Sequence, residues 1–119
     1  MEITAKHDGN LIFTLKGRLD TITSPDLENK FKEEEIEEDK VILDFTELEY
    51  ISSAGLRAIL SIKRNLDAKK KTLEIHNIND VIKEVFSVTG FNNILVIKWL
   101  KANFFAFNFL IFAAHIMQH

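Results

Sequence analysis

The sequence predicts an α/β domain with a mostly parallel or mixed central sheet of about five strands and about four flanking helices. Two observations predict this class. Short runs of Val, Ile, Leu and Phe alternate along the chain with segments whose apolar residues recur every three or four positions. The links between these segments are short, which favours parallel strands joined by helical crossovers. With 119 residues, 46% of them hydrophobic, the chain suffices for one core.

The first two strands are expected to form a hairpin. Residues 3–7 alternate between apolar and polar side chains, and residues 11–15 are an apolar run. Between them lies Asp-Gly-Asn at 8–10, a typical hairpin turn sequence. Gly17 and Asp20 end the second strand.

A helix is expected to begin at Ser24, with that serine as N-cap and Pro25 at the first helical position. Leu27 and Phe31 are four residues apart and define its apolar face. The charged run at 33–40 is expected to be the solvent-exposed end of this helix and the segment that follows it.

The middle of the chain predicts a buried strand at 41–45, followed by a link at 46–51. The turn Ser-Ser-Ala-Gly at 52–55 then precedes a second helix, whose apolar residues fall at helical spacing over 56–66. Three lysines at 69–71 lie at the negative end of its dipole.

A further strand, helix and strand complete the domain. Residues 72–76 alternate as a strand, and Asn79 is expected to cap a third helix that ends at Gly90. Residues 94–97 are predicted to be the last strand. We therefore divide the chain into a domain at 1–100 and an apolar tail at 101–119.

The tail is expected to form an apolar C-terminal helix. Five of the ten phenylalanines fall in the last sixteen positions. The segment 104–117 is apolar except for Asn108 and His115, yet it is shorter than the roughly 20 residues that span a bilayer. It could pack on the sheet, seal a homodimer or enter a partner's groove. Membrane attachment is disfavoured, because only Lys98 and Lys101 supply flanking positive charge.

The charge balance and the missing residue types exclude several classes of function. Fifteen basic and eighteen acidic residues give a net charge of −3, so we expect no nucleic-acid partner. The chain has no cysteine, which excludes disulfides and thiol catalysis. Its first residues do not resemble a signal peptide, so we expect a cytoplasmic protein.

Histidines do not form a convincing metal site or catalytic triad. His115 and His119 are four residues apart, but no third ligand lies near them in the sequence. His7 and His76 fall within predicted strands, where we expect surface or edge positions. We therefore expect neither metal nor cofactor.

Carboxylates and glycines give no stronger indication of an enzyme. Asp20 and Asp44 are expected at the carboxyl ends of strands, where open α/β sheets bind ligands, but aspartate also suits strand ends structurally. The four glycines are scattered and match no phosphate-binding loop. We expect a protein that is not an enzyme.

The serine-rich turn at 52–55 has two interpretations. In one, a hydroxyl simply caps the following helix. In the other, an exposed serine at the helix start accepts a phosphate, which the helix dipole and free amides would stabilise. The residues themselves leave both open.

A resemblance favours the second interpretation. Gly-Arg-Leu-Asp at 17–20, the helix begun at Ser24-Pro25, and the run at 43–56 resemble the STAS domain of bacterial anti-sigma factor antagonists. The resemblance extends from about residue 3 to residue 97. It implies a STAS-like fold.

The family resemblance also implies a switch. In this family the domain binds an anti-sigma factor that is a serine kinase; the kinase phosphorylates a serine in the turn, and a serine phosphatase reverses it. Matching Gly55 and Leu56 places the acceptor at Ser53, with Ser52 as second choice. The family's aspartate then falls on Ser52 and its second hydroxyl on Ala54.

We expect the partner-binding surface to combine the turn, the adjacent helix face and the loop after the second strand. Its residues are Asp20, Thr21, Ser52, Ala54, Gly55, Arg57 and Ser61. The alternative function is a STAS scaffold or transporter-associated interaction module that is not phosphorylated.

Overall fold

The computed structural model describes residues 1–98, so the predictions for the tail at 101–119 lie outside the described residues. Five strands and three α-helices alternate after an initial hairpin. Their bounds are β1 Glu2–Asp8, β2 Asn10–Leu19, α1 Ser24–Glu33, β3 Lys40–Ile51, α2 Ser53–Ala68, β4 Thr72–His76, α3 Asp80–Thr89 and β5 Val96–Lys98, with a short 3-10 turn at Phe91–Asn93. The prediction of an α/β fold is confirmed, with three α-helices rather than about four within this part of the chain.

The strands form one mixed sheet in the order β1-β2-β3-β4-β5. β1 and β2 are the antiparallel hairpin that the Asp-Gly turn predicts, with Asp8 opposite Asn10. Gly9 takes a φ of +73°, which glycine adopts without the steric cost that a side chain adds. The strands β2 to β5 are parallel to one another.

The core lies on one face of the sheet, where alternate residues of the central strands meet the three helices. The helices fill this face with apolar side chains at helical spacing, which explains why the amphipathic pattern is readable in the sequence. The Phe13 and Phe31 rings lie 6.2 Å apart and join β2 to α1. Fully buried members of the core are Leu11, Phe13, Leu15, Leu27, Val41, Leu43, Phe45, Ile59, Leu66, Ile75, Ile82 and Phe86.

The start of α1 differs from the expectation by one residue. Thr23 is the N-cap, and Ser24 is the first helical residue with Pro25 behind it. The reason is that the carbonyl of Thr23 accepts the bond from the Asp26 amide, whereas the Ser24 hydroxyl donates to the Asp20 carbonyl. Ser24 is therefore the first residue of the helix, and its side chain is buried.

The strand β3 is longer than the sequence indicates. The predicted link at 46–51 belongs to the strand, because β2 continues to pair with it through two irregularities as far as Leu19 and Ile51. Asp44 is consequently in mid-strand and not at a carboxyl end. Its carboxylate accepts bonds from the Thr46 amide and hydroxyl, at 3.0 and 2.6 Å, which is a structural role.

The last strand also begins later than expected, at Val96 instead of residue 94. The Ile94 and Leu95 amides donate to the carbonyl of Phe91, so these two residues close the 3-10 turn.

The caps of α3 are as predicted: the Asn79 side chain accepts from the Ile82 amide at 2.8 Å, and Gly90 ends the helix with a φ of +79°.

On the face opposite the core, a buried carboxylate lies among three cationic or protonatable groups. Glu74 contacts the Nζ atoms of Lys40 and Lys98 at 2.9 and 3.1 Å, and Nε2 of His76 at 3.0 Å. Burial acts to raise the pKa of Glu74, but the hydrogen bonds from His76 and the two lysines outweigh it and lower that pKa to about 2.

We expect Glu74→Gln to lower the free energy of unfolding at pH 7 by about 3 kcal/mol, the equivalent of the pKa displacement. Because the folded-state pKa is depressed, this stabilisation is present above pH 4.5 and is lost as pH falls toward 2. Urea unfolding at pH 7 and pH 3 measures the difference. Glu2→Gln, on an exposed carboxylate, is the control and should have little effect at either pH. If the difference in the free energy of unfolding between the wild type and Glu74→Gln were as large at pH 3 as at pH 7, the lowered pKa of Glu74 would not be its cause.

Candidate functional site

The candidate site is formed by two segments at the carboxyl end of β2 and β3: the serine turn (residues 52–55) and the β2–α1 loop (residues 20–23). The Ser52 amide donates to the carbonyl of Leu19 at 2.9 Å, which ties the turn to the end of β2. The two segments therefore lie side by side, as the sequence predicts.

Gly55 makes this close approach possible. A Cβ at this position would lie 2.7 Å from the Leu19 carbonyl oxygen and 2.8 Å from Cγ1 of Ile51. Both distances are below any van der Waals contact, and one neighbour is backbone. The glycine is needed for packing, since its own φ is not in the left-handed region.

The first serine of the turn has a structural task. Ser52 is the N-cap of α2: its backbone is extended, and its Oγ accepts from the Gly55 amide at 3.4 Å. Its carbonyl accepts the Leu56 amide at 2.9 Å, the first bond of the helix. The capping interpretation of the turn therefore applies to Ser52.

The second serine has no such task. Ser53 is the first helical residue of α2 and is exposed. None of the described residues hydrogen bonds to its side chain. Its hydroxyl thus stands in solvent at the positive end of the helix dipole.

The β2–α1 loop is organised by Asp20. Its Oδ1 accepts from the amides of Ile22 and Thr23, at 3.0 and 3.1 Å, and from the Thr23 hydroxyl at 3.2 Å. The hydrogen bond from the Thr23 amide is the main reason that the pKa of Asp20 is lowered, with smaller contributions from the Thr23 hydroxyl, the Ile22 amide and Arg18. Asp20 therefore fixes the loop, and the residues at its tip, Thr21 and Ile22, are exposed.

The remaining residues of the expected surface are spread along α2. Arg57 and Ser61 are exposed and follow Ser53 at intervals of four residues, so the three share one face of the helix. Arg57 lies one turn from Ser53, and Arg57 has no ion pair within residues 1–98. Ser61 lies about 12 Å along the axis from Ser53, where it lines a cleft between α1 and α2 with Phe31. Ala54 is half-buried beside the turn.

Two features of this surface are not evident from the sequence. Ile22 is 84% exposed, an uncommon state for a large apolar side chain on a fixed loop. The Arg18 guanidinium lies over the Tyr50 ring at 4.5 Å from its centroid, and its Nε is 4.0 Å from the Asp20 carboxylate. The isolated Ile in a polar loop and the Arg-x-Asp spacing on β2 are the only signals that could have indicated them.

This surface presents a free hydroxyl and exposed side chains that another molecule could contact. Within residues 1–98, no three His, Asp or Glu side chains are grouped so that they could hold a metal ion. No helix in the same range is long and apolar enough to span a bilayer. The site offers the unengaged hydroxyl of Ser53, a helix N-terminus, two nearby arginines and an exposed isoleucine.

Replacing each of the two serines by alanine should change the free energy of unfolding by different amounts. We expect Ser52→Ala to lower the free energy of unfolding by about 0.5–1 kcal/mol, because it removes the cap of α2. Ser53→Ala should change it by less than about 0.5 kcal/mol, since the side chain is exposed and none of the described residues hydrogen bonds to it. Urea unfolding of both variants measures this. Equal losses would show that the division of tasks between the serines is wrong.

Gly55→Ala should destabilise the protein by about 1–3 kcal/mol, because Leu19 and Ile51 must move apart to admit the methyl group. The better helix propensity of alanine, about 1 kcal/mol, acts in the opposite direction and does not remove the clash. Ser61→Ala introduces the same side chain at an exposed position of the same helix and is the control. A Gly55→Ala variant as stable as this control would contradict the packing argument.

The sequence and the fold are similar to known proteins. The model of the STAS domain family matches residues 3–105. BtrV of Bordetella bronchiseptica, named as a candidate anti-sigma factor antagonist, is 34% identical over 90 residues, which cover 75% of this chain and 78% of that protein.

Solved structures show the same fold at low sequence identity. A candidate anti-sigma factor antagonist from Thermotoga maritima aligns with a TM-score of 0.77 at 18% identity, covering 87% of this chain and 92% of that one. The Bacillus cell fate determinant SpoIIAA in its phosphorylated form aligns with a TM-score of 0.61 at 18% identity, over 81% of this chain and 90% of that one. The family match over most of the sequence and the identity to BtrV show that this chain belongs to the STAS domain family.

Proposed function

We propose that this protein is an anti-sigma factor antagonist that binds an anti-sigma factor with serine kinase activity and loses that binding when Ser53 is phosphorylated. The single observation that carries the proposal is the exposed, unengaged Ser53 hydroxyl at the first residue of α2. The name of BtrV and the phosphorylated form of SpoIIAA support the class of function and the modification.

Ser53 is preferred to Ser52 as the acceptor for a physical reason. A kinase must bring the hydroxyl oxygen in line with the γ-phosphate of ATP, which requires an accessible side chain that is free to turn. The Ser53 side chain meets this requirement. Phosphorylation of Ser52 would instead break the bond between its Oγ and the Gly55 amide and place the phosphate against the Leu19 end of β2.

A phosphate on Ser53 would be tolerated by the free protein and rejected in a complex. At the N-terminus of α2 the dianion would face the helix dipole and lie one turn from Arg57, so the helix stays intact. In a complex the same group would be desolvated between two proteins, or would face an acidic patch of the partner, and either effect weakens binding. The modification therefore changes the surface without changing the fold.

The position before the acceptor distinguishes this chain from the family motif. Ser52 stands where the family has aspartate, so the unmodified turn carries one negative charge fewer. A phosphate then adds its charge to a turn that has no aspartate beside the acceptor. A kinase that recognises this aspartate in other members of the family would have to recognise another feature of this chain. The exposed Ile22 and Thr21 of the adjacent loop are such features.

The proposal includes the other partners and the setting that the family implies. A serine phosphatase restores binding by removing the phosphate, and the protein acts as a binding module without catalytic activity of its own. We place it in the cytoplasm, where the sigma factor acts. A homodimer sealed by the apolar tail at 101–119 would be compatible with this role, since the site lies on the described domain.

The test uses the chain and the anti-sigma factor kinase of its own organism, with ATP. We expect intact mass to show one added phosphate on the wild type and on Ser52→Ala, and none on Ser53→Ala. Ser87→Ala, which removes an exposed serine of α3 outside the expected partner-binding surface, is the matched control and should be modified like the wild type.

The binding part of the test uses Ser53→Asp in titration calorimetry with the same partner. We expect at least about tenfold weaker binding, or about 1.4 kcal/mol, with unchanged binding by Ser87→Asp, which places the same charge on the exposed surface of α3. Phosphate that persists on Ser53→Ala would move the acceptor to another residue. Tight binding without any modification would favour the alternative, a STAS scaffold or transporter-associated module.

A further inference from the structure

At the opposite end of β3 from the serine turn, both nitrogens of one imidazole contact carboxylates. Nδ1 of His7, on the edge strand β1, lies 2.6 Å from Oε2 of Glu38, and its Nε2 lies 3.0 Å from Oε2 of Glu34. A neutral imidazole carries one N–H, so one of its nitrogens would face a carboxylate with a lone pair. Only the imidazolium form, with two N–H groups, can donate to both.

We propose that His7 is a pH-sensitive latch. Its imidazolium form fastens the connecting segment 34–38, between α1 and β3, to β1, and loss of its proton releases that segment. The proton leaves a ring nitrogen for solvent, and the lone pair that remains repels the carboxylate it faced. Ile36, in the middle of the segment, is partly buried and packs against the core, so release affects the polar residues on either side of it.

The charges around His7 favour the protonated form. The segment and the end of α1 present five carboxylates to the same depression in the surface, from Glu33, Glu34, Glu35, Glu37 and Glu38. Cations reach only part of this cluster: Lys30 lies 3.8 Å from Oε1 of Glu34, and Nζ of Lys71 donates to the backbone carbonyl of Glu38. On β1 itself, Lys6 and Asp8 flank His7 and lie 3.7 Å apart, so their charges offset each other.

The titration of the groups agrees with this geometry. The hydrogen bonds to Glu34 and Glu38 raise the pKa of His7, and the bond from His7 is the main reason that the pKa of Glu38 is lowered. Because the folded-state pKa of His7 lies above 6.5, the contribution of the latch is complete below pH 6.5. It is lost as pH rises through the raised value.

Release should be local and leave the sheet intact. The segment lies outside the helices and strands, and Glu35 and Glu37 in it are exposed. Its far end remains attached when His7 loses its proton, because Nζ of Lys71 donates to the Glu38 carbonyl without involving His7. The latch therefore controls the order of a short surface segment rather than the stability of the domain.

The experiment combines two NMR measurements on the full chain between pH 5 and 9. Ring ¹⁵N shifts of His7 report whether both nitrogens are protonated, and backbone ¹³Cα order parameters of residues 34–38 report the order of the segment. We expect a doubly protonated ring at pH 6.5 and a fall in these order parameters in step with its titration.

Three variants separate the latch from a merely structural contact. His7→Lys keeps a cation and should retain high order parameters across the range, whereas His7→Gln should show low order parameters at every pH and no step. Lys6→Gln, on the neighbouring exposed cation, is the matched control and should behave as wild type. The proposal is overturned if His7 has a single N–H at pH 6.5, or if the order parameters of the segment are the same in His7→Gln as in the wild type.

Discussion

The contact between Gly55 and the end of β2 is the constraint on which the candidate site depends. It brings the first turn of α2 against the Leu19 carbonyl, closer than any residue with a Cβ allows. The Ser52 amide then bonds to that same carbonyl, so one backbone oxygen organises the strand end and the turn together. Since the β2–α1 loop begins at the next residue, its exposed tip is placed beside the serines by the same contact.

Ser52 and Ser53 are neighbours at the start of α2, but their side chains have different roles because only Ser52 is at the N-cap position. The N-cap geometry directs the Ser52 side chain toward the helix amides, and the next residue, already helical, points its side chain outward. A covalent change at Ser53 can therefore alter the surface while the cap, the helix and the Gly55 contact persist. This separation between the group that changes and the groups that hold the fold is what a reversible switch requires.

Most features that depend on neighbouring residues could be predicted from the sequence, although the starts of α1 and β5 differ from the prediction by one and two residues. Features that depend on distant pairing could not be predicted. The hairpin turn, the Asn79 cap and the Gly90 stop are local, and the structure has them. The length of β3 is set by its pairing with β2 through irregular register, which no periodicity in residues 46–51 reveals. The family motif predicts Ser53 as the acceptor. The exposure of Ile22, the stacking of Arg18 on Tyr50 and the double contact of His7 arise instead from segments that meet only in the folded chain.

The two chemically responsive places in this domain are physically separate. His7 pairs with Leu11, which lies beside Val41 at the amino end of β3, whereas Ser53 follows Ile51 at its other end. About 35 Å of strand lies between these ends, and β3 is paired with β2 along this length and with β4 at its amino end. Coupling between sites needs an element with two arrangements that both sites bias, and neither proposed change requires β3 to shift its register. Protonation of His7 and the proposed phosphorylation of Ser53 should therefore act independently, the first on the order of a connecting segment and the second on the surface proposed to bind a partner protein.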